Sequence, residues 1–488
     1  MTKPPESSRG ALARAPSRTI LALAVAAGLV MVAVASPASV VVVVTHLPPA
    51  MLIVLAGLGL GLILSQFMLP KAVPVEWHLV GGAGLGLGFL SLLILALGSA
   101  GVMNRPIWLV MLAALAAFGL WRVSRLVKGT PKSAESSDAI RWLWMLLVPF
   151  AAIAILAASL PPGILWPAEG NGYDVLEYHL GAPREFYEAG RISFLPHNIY
   201  SNFPFAVEML YLLSMIVYGD PVAAGITAQM VNLLIAGLAV AAVWLAGRQV
   251  SRPAGIVAAA LVGTCPFVGY LCGVAYVENG LLFFTALALG AVFRVTTDDH
   301  QARPRWALVA GLFCGFACGC KYTGVPMVLL PIAIMVVWRL MRRTKGAAAL
   351  AAFLFGVLVA FAPWLVRNYL NTGNPVFPMA QSIIADNGLA WNEDGAARWA
   401  EGHLPAPEDR GITGRFRRLG TEVITSPLFG PLIGLAIIVG VVQGIRIMSR
   451  RHSSSALDAP AWMMIVAGIL IWLFSGHLVG RFEVTLII

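Results

Sequence analysis

A succession of apolar runs, most of them long enough to cross a bilayer, restricts this chain more than any other feature. They fall at about 20–44, 50–69, 79–101, 107–121, 142–163, 221–246, 254–275, 278–294, 306–320, 324–340, 346–366, 425–446 and 461–478. A hydrocarbon core of about 30 Å takes roughly 20 residues of helix. Inside it every backbone N–H and C=O needs an internal partner, which leaves helices or a closed barrel. Barrel strands alternate apolar and polar residues, and these runs do not. A soluble fold is excluded because 59% of the residues are hydrophobic, against about 45–50% in soluble chains, leaving too little polar surface to enclose so many helices. The sequence therefore predicts an all-α polytopic membrane protein of about thirteen transmembrane helices.

Charge orients those helices. The net charge is +10, but Lys and Arg sit in short links between apolar runs. That is the positive-inside pattern and not a nucleic-acid-binding surface. Residues 1–19, with Lys3, Arg9, Arg14 and Arg18, form a cytoplasmic tail. Residues 20–121 hold four helices. Ala33-Val34-Ala35 resembles a signal-peptide cleavage site, yet the apolar run continues to Val44, so the first helix reads as uncleaved. Residues 122–141, with Arg122, Arg125, Lys128, Lys132 and Arg141, are a cytoplasmic linker and the domain boundary; the core follows at 142–488. Ala206–Tyr218 is too short to span and reads as interfacial or re-entrant. With it lying in the interface, Arg248, Arg252, Arg294, Arg303, Arg305, Arg339, Lys345 and Arg446 all fall inside. The loops 166–220 and 367–424, Tyr276–Asn279, Lys321–Gly324 and His477–Arg481 then face outside. Another apolar stretch begins just before Ile488 and predicts a further helix. The glycines in 57–61 and 81–88 predict close helix–helix packing.

Charged residues are 11% of the chain, yet the first outer loop packs Asp174, Glu177, His179, Arg184, Glu185, Glu188 and Arg191 together. Ionisable groups at a membrane are costly and mark function by default. Asp174 is a candidate general base, or with Glu177 a helix-capping box. Glu278 follows Tyr276-Val277 and opens a helix, as a second acid or as a complement to the helix dipole. Glu208 is a lone charge in an apolar segment. Lys321 and Arg367 end helices on the outer side, where they suit a phosphate or snorkel to headgroups. His179, Arg184, His477 and Arg481 share that side. The loop after Arg367 opens with Asn371, Gly373, Asn374 and Pro375, which predict turns. It goes on to hold Trp391, Glu393, Asp394, Trp399, Glu401 and His403, which suit sugar binding or an interfacial aromatic belt. Cys314, Cys318 and Cys320 read as small packing residues. No cofactor is demanded; a divalent metal is the one addition these acids leave open.

Taken in order, these segments resemble the C-type (GT-C) membrane glycosyltransferases, which include aminoarabinose transferases and protein O-mannosyltransferases. The resemblance covers about 142–488. It rests on Asp174 with Tyr178-His179-Leu180 and Pro183-Arg184-Glu185, then on Phe203-Pro204-Phe205-Ala206-Val207-Glu208-Met209-Leu210-Tyr211. Tyr276-Val277-Glu278 follows, then the Gly-rich helix ending Lys321-Tyr322-Thr323-Gly324, then Arg367-Asn368 with Gly373-Asn374-Pro375, and last Ser475-Gly476-His477 with Arg481-Phe482. This chain departs from the family in having Asp174-Val175 where an acidic pair is usual, and Glu278 where Asp is usual. The resemblance implies a GT-C-like bundle with interfacial helices in the first outer loop. It implies a polyprenyl-phosphate-linked sugar donor, a lipid, glycan or protein acceptor, and inverting transfer at the extracytoplasmic face of a bacterial inner membrane. By the same resemblance Asp174 and Glu278 are catalytic, and Glu208, Tyr178, His179, Arg184, Lys321, Tyr322, Arg367, His477 and Arg481 bind substrate. Two other classes compete: a transporter or flippase of a lipid-linked sugar, and a polysaccharide polymerase or ligase. A transporter places its binding residues near the midplane on broken helices, often in repeated halves; here the charges gather at one face and no repeat is seen.

Overall fold

A computed structural model describes residues 18–70, 73–129, 139–165, 172–297, 301–340, 344–381, 383–384, 387–389, 393–430, 434–435, 438, 441–442, 445, 458–474 and 478. Among the described residues there are helices, turns and bends but no strand. Among the described residues six helices are long and apolar enough to cross a membrane: Pro37–Met68 (α2), Trp77–Ser99, Arg105–Gly129 (α4), Ala224–Gly247 (α8), Glu278–Thr297 (α11) and Gly346–Thr372 (α14). The second of these opens with a π turn, and its α-helical part is Gly82–Ser99 (α3). Arg252–Gly263 (α9) and Pro266–Cys272 (α10) add a seventh span if taken together across their 59° bend. That bend falls inside a run that reads as one continuous helix in the sequence. Pro266 starts the second half and holds Cys265 in an extended conformation, as a residue before proline prefers. Shorter apolar helices complete the bundle: Arg18–Ala35 (α1), Leu147–Ala158 (α5), Ala206–Tyr218 (α7), Leu330–Leu340 (α13) and Asp458–Phe474 (α17). Gly181–Glu188 (α6), Glu393–Gly402 (α15) and Ile412–Arg418 (α16) are short loop helices, and Arg303–Cys320 (α12) is enclosed at the centre.

The first break between helices lies elsewhere than the apolar pattern suggests. The sequence ends the first run at about 44 and begins the second at about 50. The break instead falls at Ser36, whose Oγ accepts the Ser39 N–H at 3.3 Å, with Pro37 at the first helical position. A capped N-terminus with proline in its first turn loses no helical hydrogen bond. Neighbouring helices then let α2 run through Pro48 and Pro49 for 32 residues, a tolerance common within bilayers.

Glycines set the closeness of the packing, as the sequence predicts. A Cβ on Gly61 would lie 1.7 Å from the Gly82 carbonyl oxygen, and one on Gly86 would lie 1.7 Å from that of Gly57. The α2 and α3 backbones therefore touch directly. Gly59 does the same toward Leu115 of α4, and Gly311 of α12 toward Phe353 of α14. Polar contacts then pin α2–α4 to the rest of the bundle. Ser159 Oγ donates to Ser39 Oγ at 2.8 Å, and His46 Nδ1 lies 2.9 Å from Thr227 Oγ1. Arg105 donates to the Val217 and Tyr218 carbonyls, and Glu76 pairs with Arg248.

The helix directions sort the charges by end. Arg294 closes α11, Arg303 opens α12, and Lys345 precedes α14; Arg303 donates to the Val295 and Thr344 carbonyls there. At the opposite end Glu278 opens α11, Lys321 follows α12, and Arg367 lies in the closing turns of α14. The short α7 ends at Gly219, in the left-handed conformation (φ 89°). Its length predicts an interfacial or re-entrant helix; in the fold every residue from Ala206 to Val217 is buried by protein. Protein encloses it on all sides because it is apolar all round; its sole charge, Glu208, faces the interior.

Gly61→Leu and Gly86→Leu are expected to destabilise the detergent-solubilised protein by about 1–3 kcal/mol or more through overpacking. Gly237→Ala, where an added Cβ meets nothing within 4 Å, should hold or slightly raise the melting temperature. Thermal unfolding of the three variants checks this.

Candidate active site

The charged loop enters the bundle through a tight turn. Gly172 takes φ 79°, and a Cβ there would lie 2.6 Å from the Gly163 Cα. A π turn at Val175–His179 follows, closed by the Leu180 N–H to the Val175 carbonyl at 2.8 Å. The extra residue in such a turn lets Tyr178 and His179, adjacent in sequence, both point inward and be buried. Asp174 sits in the first turn with helical backbone angles (φ −60°, ψ −34°) and no capping hydrogen bond. The Asp174–Glu177 capping box therefore does not form: a cap residue must leave helical geometry to reach the N–H groups, and this one has not. Asp174 remains half-buried at the mouth.

Two buried acid–base contacts lie deeper. His179 Nδ1 is 2.7 Å from Glu208 Oε1, and both side chains are enclosed. Glu208 Oε2 has no hydrogen-bond partner among the described residues. Lys321 Nζ donates to Glu278 Oε1 at 2.8 Å, with the side chains 16% and 2% exposed. Lys321 leaves the helix in an extended conformation (φ −162°, ψ 142°), which turns its amine back toward α11. Glu278 Oε2 also accepts the Val277 N–H at 3.2 Å. The two contacts are neighbours. A Cβ on Gly280 would lie 2.5 Å from Val207 Cγ2, so α11 presses on α7 next to both acids. The Tyr276 ring packs against His179, and the Tyr211 hydroxyl donates to the Tyr276 carbonyl at 2.5 Å.

A third layer is built on Arg367. Its Nη2 donates to the Phe203 carbonyl at 2.6 Å and to Asn368 Oδ1 at 3.1 Å. The guanidinium also lies 5.5 and 5.4 Å from the Phe205 and Trp364 ring centres. Asn368 Nδ2 donates to the Asn202 carbonyl at 2.6 Å and to the Tyr322 hydroxyl at 2.8 Å. Tyr322 in turn donates to the Phe377 carbonyl at 3.3 Å. These bonds lock the segments at 202–205, 321–322 and 368–377 to one another.

An aromatic stack links the mouth to this interior. Tyr178 packs on Tyr200 and Phe203, with ring centres 5.2 and 6.0 Å apart. Burial first, then charge on Tyr173, Asp174 and Glu177, pushes the Tyr200 phenol up to about 12. Tyr200 also faces His403, which packs on Trp399, so the outer loop meets the same cluster.

The geometry thus gathers Asp174, Tyr178, His179, Glu208, Glu278, Lys321, Tyr322 and Arg367 at one end of the bundle. Arg184 stays on the exposed face of α6, paired with Glu188 at 3.4 Å. His477, Arg481 and Trp391 lie outside the described residues. The sequence did not single out Asn202 or Tyr200, and Tyr211 and Asn368 stood out only as members of the motifs around Glu208 and Arg367. A buried amide in an apolar helix end was the available signal for Asn368. All five cysteines are buried and unpaired. Among the described residues no group of three or more His, Cys, Asp or Glu side chains is arranged to hold a metal.

Residues 204–367 match the family model of dolichyl-phosphate-mannose-protein mannosyltransferase. The matched third of the chain carries Glu208, Glu278, Lys321, Tyr322 and Arg367; it is narrower than the 142–488 of the sequence resemblance and does not reach Asp174 or α1–α4. No curated protein and no solved structure matches the chain significantly. That match, and the helical bundle that carries it, support the resemblance to the C-type (GT-C) membrane glycosyltransferases.

Proposed function

We propose that this protein transfers a sugar from a polyprenyl-phosphate donor to an acceptor hydroxyl or amine at the extracytoplasmic face of the membrane. The observation that carries the reading is the enclosed Glu278–Lys321 pair beside His179–Glu208. Charges are expensive to bury, and here two acids, an amine and an imidazole are held at the bundle end where a half-buried carboxylate, Asp174, meets solvent. In a single displacement the acceptor oxygen or nitrogen attacks the anomeric carbon and Asp174 takes its proton as general base. The bond from that carbon to the phosphate oxygen breaks, and the electron pair leaves with the lipid phosphate. The anomeric centre inverts. Arg367 and Lys321 offset charge that grows on the phosphate, a preorganised electrostatic contribution. Glu278 keeps Lys321 in place, and Glu208 keeps His179 in one orientation. His477 and Arg481 are further substrate contacts in this reading, and Arg184 a peripheral one.

Asp174→Asn is expected to lower transfer by about 100- to 10,000-fold, the span of general-base catalysis, at unchanged protein level. The assay is release of polyprenyl phosphate with glycosylation of acceptor by purified protein. Near-parent transfer would remove Asp174 from the mechanism. Movement of the lipid-linked sugar across vesicles without bond cleavage would favour the flippase instead.

Lys321→Met leaves Glu278 enclosed without its cation and should destabilise the protein by about 3–5 kcal/mol. Adding Glu278→Gln should recover most of that loss and none of the transfer. Recovery of both in the double variant would make the pair structural alone.

Tyr173 is 54% exposed, while every native cysteine is buried. Tyr173→Cys should therefore react with a membrane-impermeant maleimide added outside intact cells. Labelling only after the membrane is opened would put this site on the cytoplasmic side.

A further inference from the structure

The outer loop brings its own aromatic surface to the mouth of the site. Trp399 and His403 stand four residues apart, and so on one face, at the end of α15; their ring centres are 4.1 Å apart. His403 Nδ1 lies 2.7 Å from the Trp399 carbonyl oxygen. A carbonyl only accepts, so Nδ1 carries the proton and the imidazole plane is fixed. His403 in turn faces Tyr200, with ring centres 6.2 Å apart. Tyr200 rides on the turn Ile199–Asn202, and Asn198 holds that turn against the charged loop. Its Oδ1 accepts the Ser201 N–H at 3.2 Å, and its Nδ2 donates to the Glu177 carbonyl at 2.8 Å. The Tyr200 phenol thereby lies in the field of Tyr173, Asp174 and Glu177. Behind His403 the chain is braced: Arg410 Nε donates to the Pro405 carbonyl at 3.2 Å, and Arg415 Nη1 to the Leu473 carbonyl of α17 at 2.6 Å.

These rings do not fill a core. No residue of α15 is buried, and Trp399, His403 and Tyr200 are each half-buried. Nor does α15 suit a membrane surface. Its exposed flank carries Glu393, Asp394 and Glu401 against Arg398 alone, whereas a helix lying on anionic lipid is basic on its polar face. Half-exposed aromatic faces beside half-exposed carboxylates match a sugar ring. Its apolar C–H face packs on the negative face of an aromatic ring, and its hydroxyls donate to carboxylate oxygens. We infer that Trp399, His403 and Tyr200 form a stacking subsite for a sugar ring of the acceptor, with Glu177 accepting from its hydroxyls. The ring is the acceptor's because the subsite adjoins Asp174, the proposed base, whereas the donor phosphate is assigned to Lys321 and Arg367. The inference rests on the proposed transferase reading and narrows its acceptor from lipid, glycan or protein to a glycan.

The test is equilibrium binding to the full-length protein in a sugar-free detergent. The probes are mannotriose, arabinotriose and maltotriose, with a Ser/Thr-rich hexapeptide and dioleoylglycerol for comparison. At least one trisaccharide should bind at least tenfold more tightly than the peptide and the lipid. Trp399→Ala, His403→Ala and Glu177→Gln should each weaken that trisaccharide at least fivefold. Trp399→Phe keeps an aromatic face and should stay within threefold of the parent. All three positions are half-exposed, and an unchanged melting temperature separates a lost contact from a lost fold. Binding of none of the trisaccharides overturns the inference, as does unchanged binding in Trp399→Ala and His403→Ala alike. In the transfer assay with cell-envelope acceptors, label should enter a glycan fraction that resists protease and solvent extraction. Label in protein or in extractable lipid overturns the subsite and leaves the reaction standing. If trisaccharide binding behaves as stated and no sugar is transferred, the reaction falls and the subsite stands.

Discussion

A carboxylate enclosed by protein at the end of an apolar bundle keeps its charge when a cation and further donors sit against it. For Glu278 those are Lys321 Nζ at 2.8 Å and the Val277 N–H at 3.2 Å. The contact joins the first turn of α11 to the residue that ends α12, and so fixes the relative height of the two central helices. Several other features follow from that height. Val207 comes to rest on Gly280, Glu208 is brought beside Glu278, and His179 finds Glu208 across from it. A shift of one helical turn, about 5.4 Å, would separate every one of these partners. The pair therefore acts as a register mark as well as a source of charge.

Much of this was legible in the sequence, for reasons that differ by feature. Helical class and the position of the long apolar helices follow from hydrocarbon thickness alone. The glycine packing was legible because Gly57, Gly61, Gly82 and Gly86 recur at the four-residue spacing that lines up one helix face. Glu208, Glu278, Lys321 and Arg367 stood out as charges in apolar surroundings. The break at Ser36 was not legible from hydropathy, since α1 and α2 are both apolar there; the cap Ser36-Pro37 was the signal. Burial of α7 was hidden because an apolar segment of 13 residues is the same string on a membrane surface or inside a bundle. Pairings were hidden too. Nothing local says that Glu278 meets Lys321 and that Glu208 meets His179, because 43 and 29 residues separate the partners.

The N-terminal helices raise a different point. They lie outside the family match, which begins at residue 204, yet they do not sit apart. Their contacts with the rest are polar at both ends: Glu76 with Arg248 at one, and Arg105 with the Val217 and Tyr218 carbonyls at the other. Within a bilayer, lipid tails match apolar side chains, so hydrophobicity gives little drive for one helix bundle to choose another. Polar pins and close backbone approach supply that choice. His46 on Thr227 and Ser39 on Ser159 are such pins, joining α2 to α8 and to the residue that follows α5.

The same reasoning explains why Arg367 is arginine. Its guanidinium lies between two aromatic faces and reaches a backbone oxygen and an amide oxygen at once. A lysine ammonium is compact and strongly hydrated, and loses more when water is removed. The planar guanidinium is weakly hydrated, stacks on rings and has donors to spare in a fixed fork. It can therefore brace the segment 202–205 while keeping its charge at this end of the bundle. Lys321 instead makes a point contact with one carboxylate, Glu278. The two cations are thus matched to how each is desolvated, one among aromatic rings and neutral oxygens, the other against an acid.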